Sequence, residues 1–448
     1  MARIVILGAA ESGVGAAILA QKKGFDVFVS DKSPIKPRYK ALLDAHNIAW
    51  EESKHTEHLI LNADEIIKSP GIPKEVPMLQ KVLKAGIPVI SELEFASRYT
   101  NAKMICITGS NGKTTTTSLI YHIFQTAGYN VGLAGNIGKS LALQVAEASY
   151  DYYIIEVSSF QLDDMYDFRA NTAVLLNITP DHLDRYEHNM QLYTDAKMRI
   201  LQNQTAEDSF IYWHDDAVIA AELPKYNTPV AKLSFAENKQ NGVMAYALNG
   251  ELVINAPHNF SMSLSKLSLL GRHNLYNSLA AALAAKVNGI SNEVIEQSLS
   301  NFKGVEHRLE YVNTVNGVRY INDSKATNVD ACRWALESMT TPTILIIGGL
   351  DKGNDYNLIA SLVREKCKAL VFLGADNAVL HAFFDSFQLP IYDTHSMKEC
   401  MEACKNIATS GDCVLLSPCC ASFDLFKNME DRGEQFKEQV SHFLTSNA

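Results

Sequence analysis

Short apolar runs, each closed by a polar or glycine-bearing turn and followed by a stretch of helical period, recur along the whole chain. This alternation predicts mostly parallel α/β architecture, because a parallel strand needs a crossover, usually a helix, to bring the chain back to the same edge. The first such group has strands at residues 3–7, 26–30, 65–68 and 89–91, with an alanine-rich helix that follows the turn from Gly8 to Gly15 and ends near Gly24. A second group begins with the strand at residues 104–108 and continues through 152–157 and 172–177. It then shows the hairpin signal Asn249-Gly250 and a closing helix at residues 275–287. The third opens near Val305 with a hairpin whose arms, residues 309–312 and 318–322, flank Asn316-Gly317. Strands at 343–347, 369–373 and 413–416 then alternate with helices. The expected domains are residues 1–93, 94–304 and 305–448.

A length of 448 residues agrees with that division, since a domain holds roughly 150 residues. The 47% hydrophobic and 20% charged composition is that of a soluble globular protein, and a net charge of -10 argues against a general nucleic-acid or acidic-membrane surface. Local phosphate sites survive that argument, because they need only a few backbone N–H groups and one or two cations. The eight cysteines include no CxxC pair, so lone thiols in a reducing cytoplasm are expected. The first apolar run is far too short for a bilayer span and lacks the flanks of a signal peptide, so no membrane insertion is expected.

The strongest chemical signal is Gly109-Ser110-Asn111-Gly112-Lys113-Thr114, which runs from a buried strand into a helix. Glycines let backbone N–H groups curl toward phosphate oxygens, Lys113 would meet the β- and γ-phosphates, and Thr114 would ligate magnesium. Only two residues separate the glycines where the standard phosphate loop has four. Glu156 ends an apolar strand, where it either pairs with a lysine or holds a metal ion. His182 follows a third strand, so the loop, Glu156 and His182 emerge at the carboxyl ends of strands in one sheet, where open α/β folds bind ligands. Lys197 shares a helical stripe with Met190, Tyr193, Ile200 and Leu201. It either snorkels or lies buried, and a buried neutral amine could take up carbon dioxide as a carbamate that ligates a second magnesium.

In the third domain Arg308, Asp323, Lys325 and Thr327 gather near one sheet edge, able to bind ribose, phosphates or an acidic substrate. Residues 348–352 and 417–423 end two further strands in the same way, and repetition at successive strand ends favours a binding cleft. The turn from Gly8 to Gly15, with Asp31 ending the second strand, lacks GxGxxG spacing and suits one nucleotide moiety better than a dinucleotide.

Over essentially its whole length the chain resembles the Mur ligase family. The residues that carry the likeness are Thr108-Gly-Ser-Asn-Gly-Lys-Thr114, Asn322-Asp-Ser-Lys-Ala-Thr-Asn328, Ser417-Pro-Cys-Cys-Ala-Ser-Phe-Asp424 and Arg432-Gly433. The last three are most similar to the members that add D-glutamate. The resemblance implies a Rossmann-like N-terminal domain, a central domain of P-loop ATPase type with a parallel sheet, and a Rossmann-like C-terminal domain. It implies a cytoplasmic, monomeric ligase that binds no nucleic acid and uses ATP, two Mg2+ ions and a carbamylated Lys197 to join D-glutamate to UDP-N-acetylmuramoyl-L-alanine. By matching motif, Ser12, Asp31, Lys32, Gly71, Asn136, Ser158 and His182 would lie near the UDP substrate. Residues 109–114, Thr115, Asn274, Arg308, Asp323 and Lys325 would contact ATP, and Thr327, Lys352, Ser422 and Phe423 would hold D-glutamate. Lys113, Glu156, His182 and Lys197 would be catalytic, with Thr114, Glu156, His182 and Lys197 as metal ligands. The alternatives are a related ligase for another amino acid, including the folylpolyglutamate type, and a P-loop nucleotide switch, which gives no role to Lys197 or the third-domain motifs.

Overall fold

The computed structural model describes residues 1–255, 259–269 and 271–445, which form three sheets. The first holds β1 (Arg3–Leu7), β2 (Asp26–Ser30), β3 (Ala49–Glu51), β4 (Glu65–Lys68) and β5 (Val89–Ile90), all parallel, in the order β3-β2-β1-β4-β5. The second holds β6 (Lys103–Thr108), β7 (Val131–Gly135), β8 (Tyr152–Glu156), β9 (Thr172–Leu175), β10 (Ser209–Trp213), β11 (Ala231–Asn238), β12 (Val243–Leu248), β13 (Glu251–Ile254) and β14 (Phe260–Ser263). Their order is β14-β13-β12-β11-β10-β9-β6-β8-β7, parallel from β7 to β11 and ending in an antiparallel ribbon, β12 to β14, whose first turn is Asn249-Gly250. The third holds β15 (Glu310–Val315), β16 (Val318–Asn322), β17 (Thr343–Gly348), β18 (Cys367–Leu373), β19 (Ile391–Thr394) and β20 (Cys413–Cys419) in the order β15-β16-β20-β17-β18-β19. Among the described residues only the hairpin β15–β16 is antiparallel there.

The sequence pattern anticipates the buried central strands and both hairpins but not β3, β7, β10, β11, β14 or β19. The strand β3 is too short to show a period, and two glycines dilute the apolar signal of β7. By compactness the chain divides into Met1–Leu267 with Tyr276–Phe302, and Ser268–Leu275 with Lys303–Ala448.

In the first unit one apolar core spans the first two sheets, with the helices Glu11–Lys22, Glu92–Ser97 and Leu141–Glu147 packed within it. Two buried carboxylate devices accompany this core. Lys68 and Asp164 form an ion pair at 2.9 Å with side chains 3% and 5% exposed. Glu92 accepts hydrogen bonds from the Ser140 hydroxyl at 2.7 Å and the Ala142 N–H at 2.6 Å, while burial pushes its carboxyl up to about 7. The second unit carries separate apolar cores on the two faces of its sheet. All eight cysteines are buried thiols, and no helix among the described residues is long and apolar enough to cross a membrane.

Candidate active site

The register of the second sheet aligns Thr108 with Leu175, and Glu156 with both Ile107 and Gly135. Four strand ends therefore deliver their loops to one edge. From β6 the chain passes through residues 109–112 into the helix Lys113–Thr126, whose N-cap is Gly112 in the left-handed region at φ 84°. A Cβ there would stand 2.5 Å from Asn277 Oδ1, so glycine is required by both conformation and space.

The loop is braced from β9. Asn177 accepts from the Asn111 N–H at 2.8 Å through Oδ1 and donates to the Asn111 carbonyl at 3.0 Å through Nδ2. Ser110 donates to the Thr179 carbonyl at 2.8 Å and meets the Tyr193 hydroxyl at 3.0 Å. Asn177 and Tyr193 as loop braces escape sequence reasoning, since the pattern shows one only as the end of the strand at residues 172–177 and the other only as a member of an apolar helical stripe.

Lys113 turns back onto its own loop, donating to the carbonyls of Gly109 at 2.8 Å and Ser110 at 2.9 Å. Lys197 is 1% exposed and donates to the Gly109 carbonyl at 2.8 Å, with its ammonium 4.7 Å from the Tyr193 ring centroid. The structure thus decides between snorkelling and burial in favour of burial. Desolvation, and then the Lys113 charge, hold the Lys197 amine well below its usual range, while Asp181 and Glu156 oppose that shift.

Glu156 is 1% exposed, and its Oε1 accepts from Asn136 Nδ2 at 2.9 Å. Its Oε2 is buried and, among the described residues, has no hydrogen-bond partner, as is true of the hydroxyls of Thr108 and Thr115. The cation expected beside Glu156 is thus not a bonded lysine: Lys197 acts on it only through space. Asn136 reaches Glu156 because Gly135, at φ 97°, brings the two backbones together; a Cβ there would sit 2.1 Å from the Glu156 carbonyl oxygen. His182 lies near the same edge in the left-handed region, half-exposed, with its Nε2 3.6 Å from Asp181 Oδ2 and its ring edge-on to Phe160. Thr114 is buried in the first turn of its helix. Ser158 closes a capping box with Gln161.

On the first sheet, Asp31 accepts the N–H of Ala9 at 2.7 Å and of Ser33 at 2.8 Å, so it also holds the turn that follows β1. Ser12 lies in the first turn of the helix Glu11–Lys22, and Lys32 and Gly71 are exposed.

In the second unit Asp323 follows β16, accepting from the Leu309 N–H at 3.1 Å and the Ser417 hydroxyl at 2.9 Å. Burial pushes its carboxyl up to about 6, against the pull of Arg308. Arg308 Nε is buried and has no hydrogen-bond partner among the described residues. Lys325 donates its N–H to the His307 carbonyl, and Asn274 is buried. Ser422 is buried, whereas Thr327, Lys352 and Phe423 are exposed. Arg432, which the sequence offers only as part of the Arg432-Gly433 motif and without a role, is 1% exposed and donates to the Ser324 carbonyl at 2.9 Å and to the Cys420 carbonyl at 3.2 Å, joining the loops that carry Asp323 and Ser422. Glu306, His307 and Glu434 cluster closely enough to hold a metal ion, but the Lys437 ammonium already pairs with both glutamates.

Three family models match in chain order: the MurD N-terminal domain at residues 3–77, the Mur ligase middle domain at 107–285 and the Mur ligase glutamate ligase domain at 307–420. The UDP-N-acetylmuramoylalanine--D-glutamate ligase of Bacteroides thetaiotaomicron is 64% identical over 441 residues, covering 98% of this chain and 99% of that protein. The enzyme of the same name from Porphyromonas gingivalis is 55% identical over 441 residues, 98% of each chain. A crystal structure of the UDP-N-acetylmuramate-alanine ligase of Thermotoga maritima, 16% identical, superposes with a TM-score of 0.62 and covers 100% of both chains, a likeness of fold.

Proposed function

Since the chain belongs to the Mur ligase family, we infer that it joins D-glutamate to UDP-N-acetylmuramoyl-L-alanine with cleavage of ATP, in peptidoglycan precursor synthesis. The L-alanyl carboxylate attacks the γ-phosphate of ATP to give an acyl phosphate with ADP leaving, and the amine of D-glutamate, losing a proton, displaces inorganic phosphate to form the amide. The structural observation that carries this reading is the carboxyl edge of β6 and β8, where a phosphate loop, two lysines on one carbonyl and a buried carboxylate oxygen without a donor come together.

Residues 109–115 would cradle the triphosphate, and Lys113, released from its loop carbonyls, would meet the β- and γ-phosphates. The residues suit two magnesium ions: an orphan Glu156 Oε2 with Thr114 could hold one, and His182 with a carbamate on Lys197 the other. When bound, such ions neutralise charge on the transferring phosphoryl group. Burial favours the neutral Lys197 amine that carbamate formation requires. Ser12, Asp31, Lys32, Gly71, Asn136 and Ser158 are assigned to the UDP substrate. Asn274, Arg308, Asp323 and Lys325 are assigned to the nucleotide, and Thr327, Lys352, Ser422 and Phe423 to D-glutamate. The three roles divide along residues 1–93, 94–304 and 305–448, in a monomer that works in the cytoplasm.

The test is mass spectrometry of products from ATP, UDP-N-acetylmuramoyl-L-alanine and each candidate amino acid in turn, with phosphate release followed in parallel. D-glutamate alone should give the amide, and release should need both acidic substrates. Phosphate release without them would favour a nucleotide switch instead.

A further inference from the structure

Beside Asp31 and Lys32, the first sheet carries a hydrogen-bond relay that the reaction scheme leaves unused. Ser30 ends β2 and Glu51 ends β3, in register with each other. The buried Glu51 carboxylate accepts the Thr56 N–H at 2.7 Å, the Thr56 hydroxyl at 2.5 Å and the Ser30 hydroxyl at 2.7 Å, with the Lys54 ammonium at 3.8 Å. Burial pushes that carboxyl up, but the bonds from Thr56 and Ser30 outweigh it and leave it below its ordinary value.

An ionised carboxylate only accepts hydrogen bonds, so the single proton of Ser30 goes to Glu51. The Ser30 oxygen must then accept from its other neighbour, His55 Nδ1, at 2.7 Å. In the neutral ring Nδ1 therefore carries the proton and Nε2 is a lone-pair acceptor. Burial lowers the His55 pKa, opposed by Glu51 and Asp31 and assisted by Lys32, so the neutral form prevails at pH 7. The ring is half-buried, and among the described residues Nε2 meets no donor.

We propose that His55 Nε2 accepts a hydrogen bond from a donor of the uridine moiety, the uracil N3–H or a ribose hydroxyl, and that Ser30 and Glu51 position it by holding the ring in its acceptor tautomer. The proposal rests on the reading that this edge binds the UDP part of the substrate. Uracil presents an N–H at N3 where cytosine presents a lone pair, so a fixed acceptor sorts the two bases, whereas a ring able to exchange tautomers would not.

The experiment is calorimetric titration of UDP, CDP and 2′-deoxy-UDP into the full-length wild type, His55→Phe and Ser30→Ala, with thermal unfolding as the check on folding. His55→Phe should weaken UDP about five- to tenfold, the value of one hydrogen bond. If N3–H is the donor, UDP falls to the affinity of CDP; if the ribose is, it falls to that of the 2′-deoxy analogue. Ser30→Ala keeps the ring but frees its tautomer, and should lose most of the same discrimination. In the ligase assay, lowering the pH through the His55 titration should raise KM for the UDP substrate in the wild type but not in His55→Phe, with kcat following one profile in both. Unchanged UDP affinity in a folded His55→Phe protein, or identical KM profiles, would overturn the proposal. Failure of the wild type to bind UDP would instead overturn the assignment of this edge to the nucleotide.

Discussion

Lys113 and Lys197 donate to the same backbone oxygen, each Nζ lying 2.8 Å from the Gly109 carbonyl. One is a half-exposed residue at the start of its helix and the other is buried, so the cost of placing two cations on one acceptor falls on Lys197. Its pKa is lowered by burial first and by Lys113 second. The native protein therefore binds fewer protons at Lys197 than the unfolded chain does, and stability from this site is lost as pH falls through the folded pKa. A neutral amine beside a phosphate loop is the reactive form toward carbon dioxide. In wild-type protein equilibrated with 13C-bicarbonate, NMR should show a carbamate carbon resonance that is missing from Lys197→Met. The variant should also lose ligase activity by about 100-fold or more. A resonance unchanged in the variant would remove Lys197 as the site.

The Glu156→Gln variant should separate stability from function. The carboxylate is buried with one oxygen unpartnered, so removing its charge should leave the thermal midpoint unchanged or raise it. Ligase activity should fall about 100-fold or more, and binding of Mn2+ as a paramagnetic probe should weaken in the same variant. A variant with wild-type metal affinity would show that Glu156 is only a structural group bonded to Asn136.

The Gly112→Ala variant tests the helix entrance. Alanine at φ 84° carries backbone strain, and its Cβ would press on Asn277 Oδ1, for a cost of about 1–3 kcal/mol. Thermal shift with ATP should show a lowered midpoint without ligand and little of the nucleotide-induced rise seen in the wild type.

The carboxyl of Glu92 has a folded pKa raised from 4.5 to about 7 by burial. A raised folded value means stability that is fully present below the unfolded pKa and is lost as pH rises through the folded one. Between pH 5 and pH 8 this group should therefore cost about 3 kcal/mol. Both hydrogen bonds, from Ser140 and Ala142, end on Oε1, which glutamine can supply as well. Denaturant unfolding of Glu92→Gln should be flatter over that window than in the wild type, and equal slopes would count against the assignment.

Much of this was legible in the linear chain. Buried parallel strands read as continuous apolar runs because both faces are covered, which is why β6, β8 and β17 stood out. The spacing of Gly109, Gly112 and Lys113 announced a phosphate loop because its chemistry is local: backbone amides, a helix N-terminus and a cation lie within six consecutive residues. Lys197 was visible as an inward position, though its helical period alone left snorkelling open.

What only the tertiary structure decided are relations across strands whose sequence separation no pattern records. Asn177 braces a loop 66 residues away, and Lys197 reaches a carbonyl at a separation of 88. Asn136 comes to Glu156 only because β7 lies beside β8 in the sheet. The proton order from Glu51 through Ser30 to His55 likewise needs two strand ends placed side by side. Local sequence determines which backbone a segment prefers and which chemistry it offers. Desolvation and hydrogen-bond direction depend on what the rest of the chain brings within about 3 Å, and folding alone supplies those neighbours.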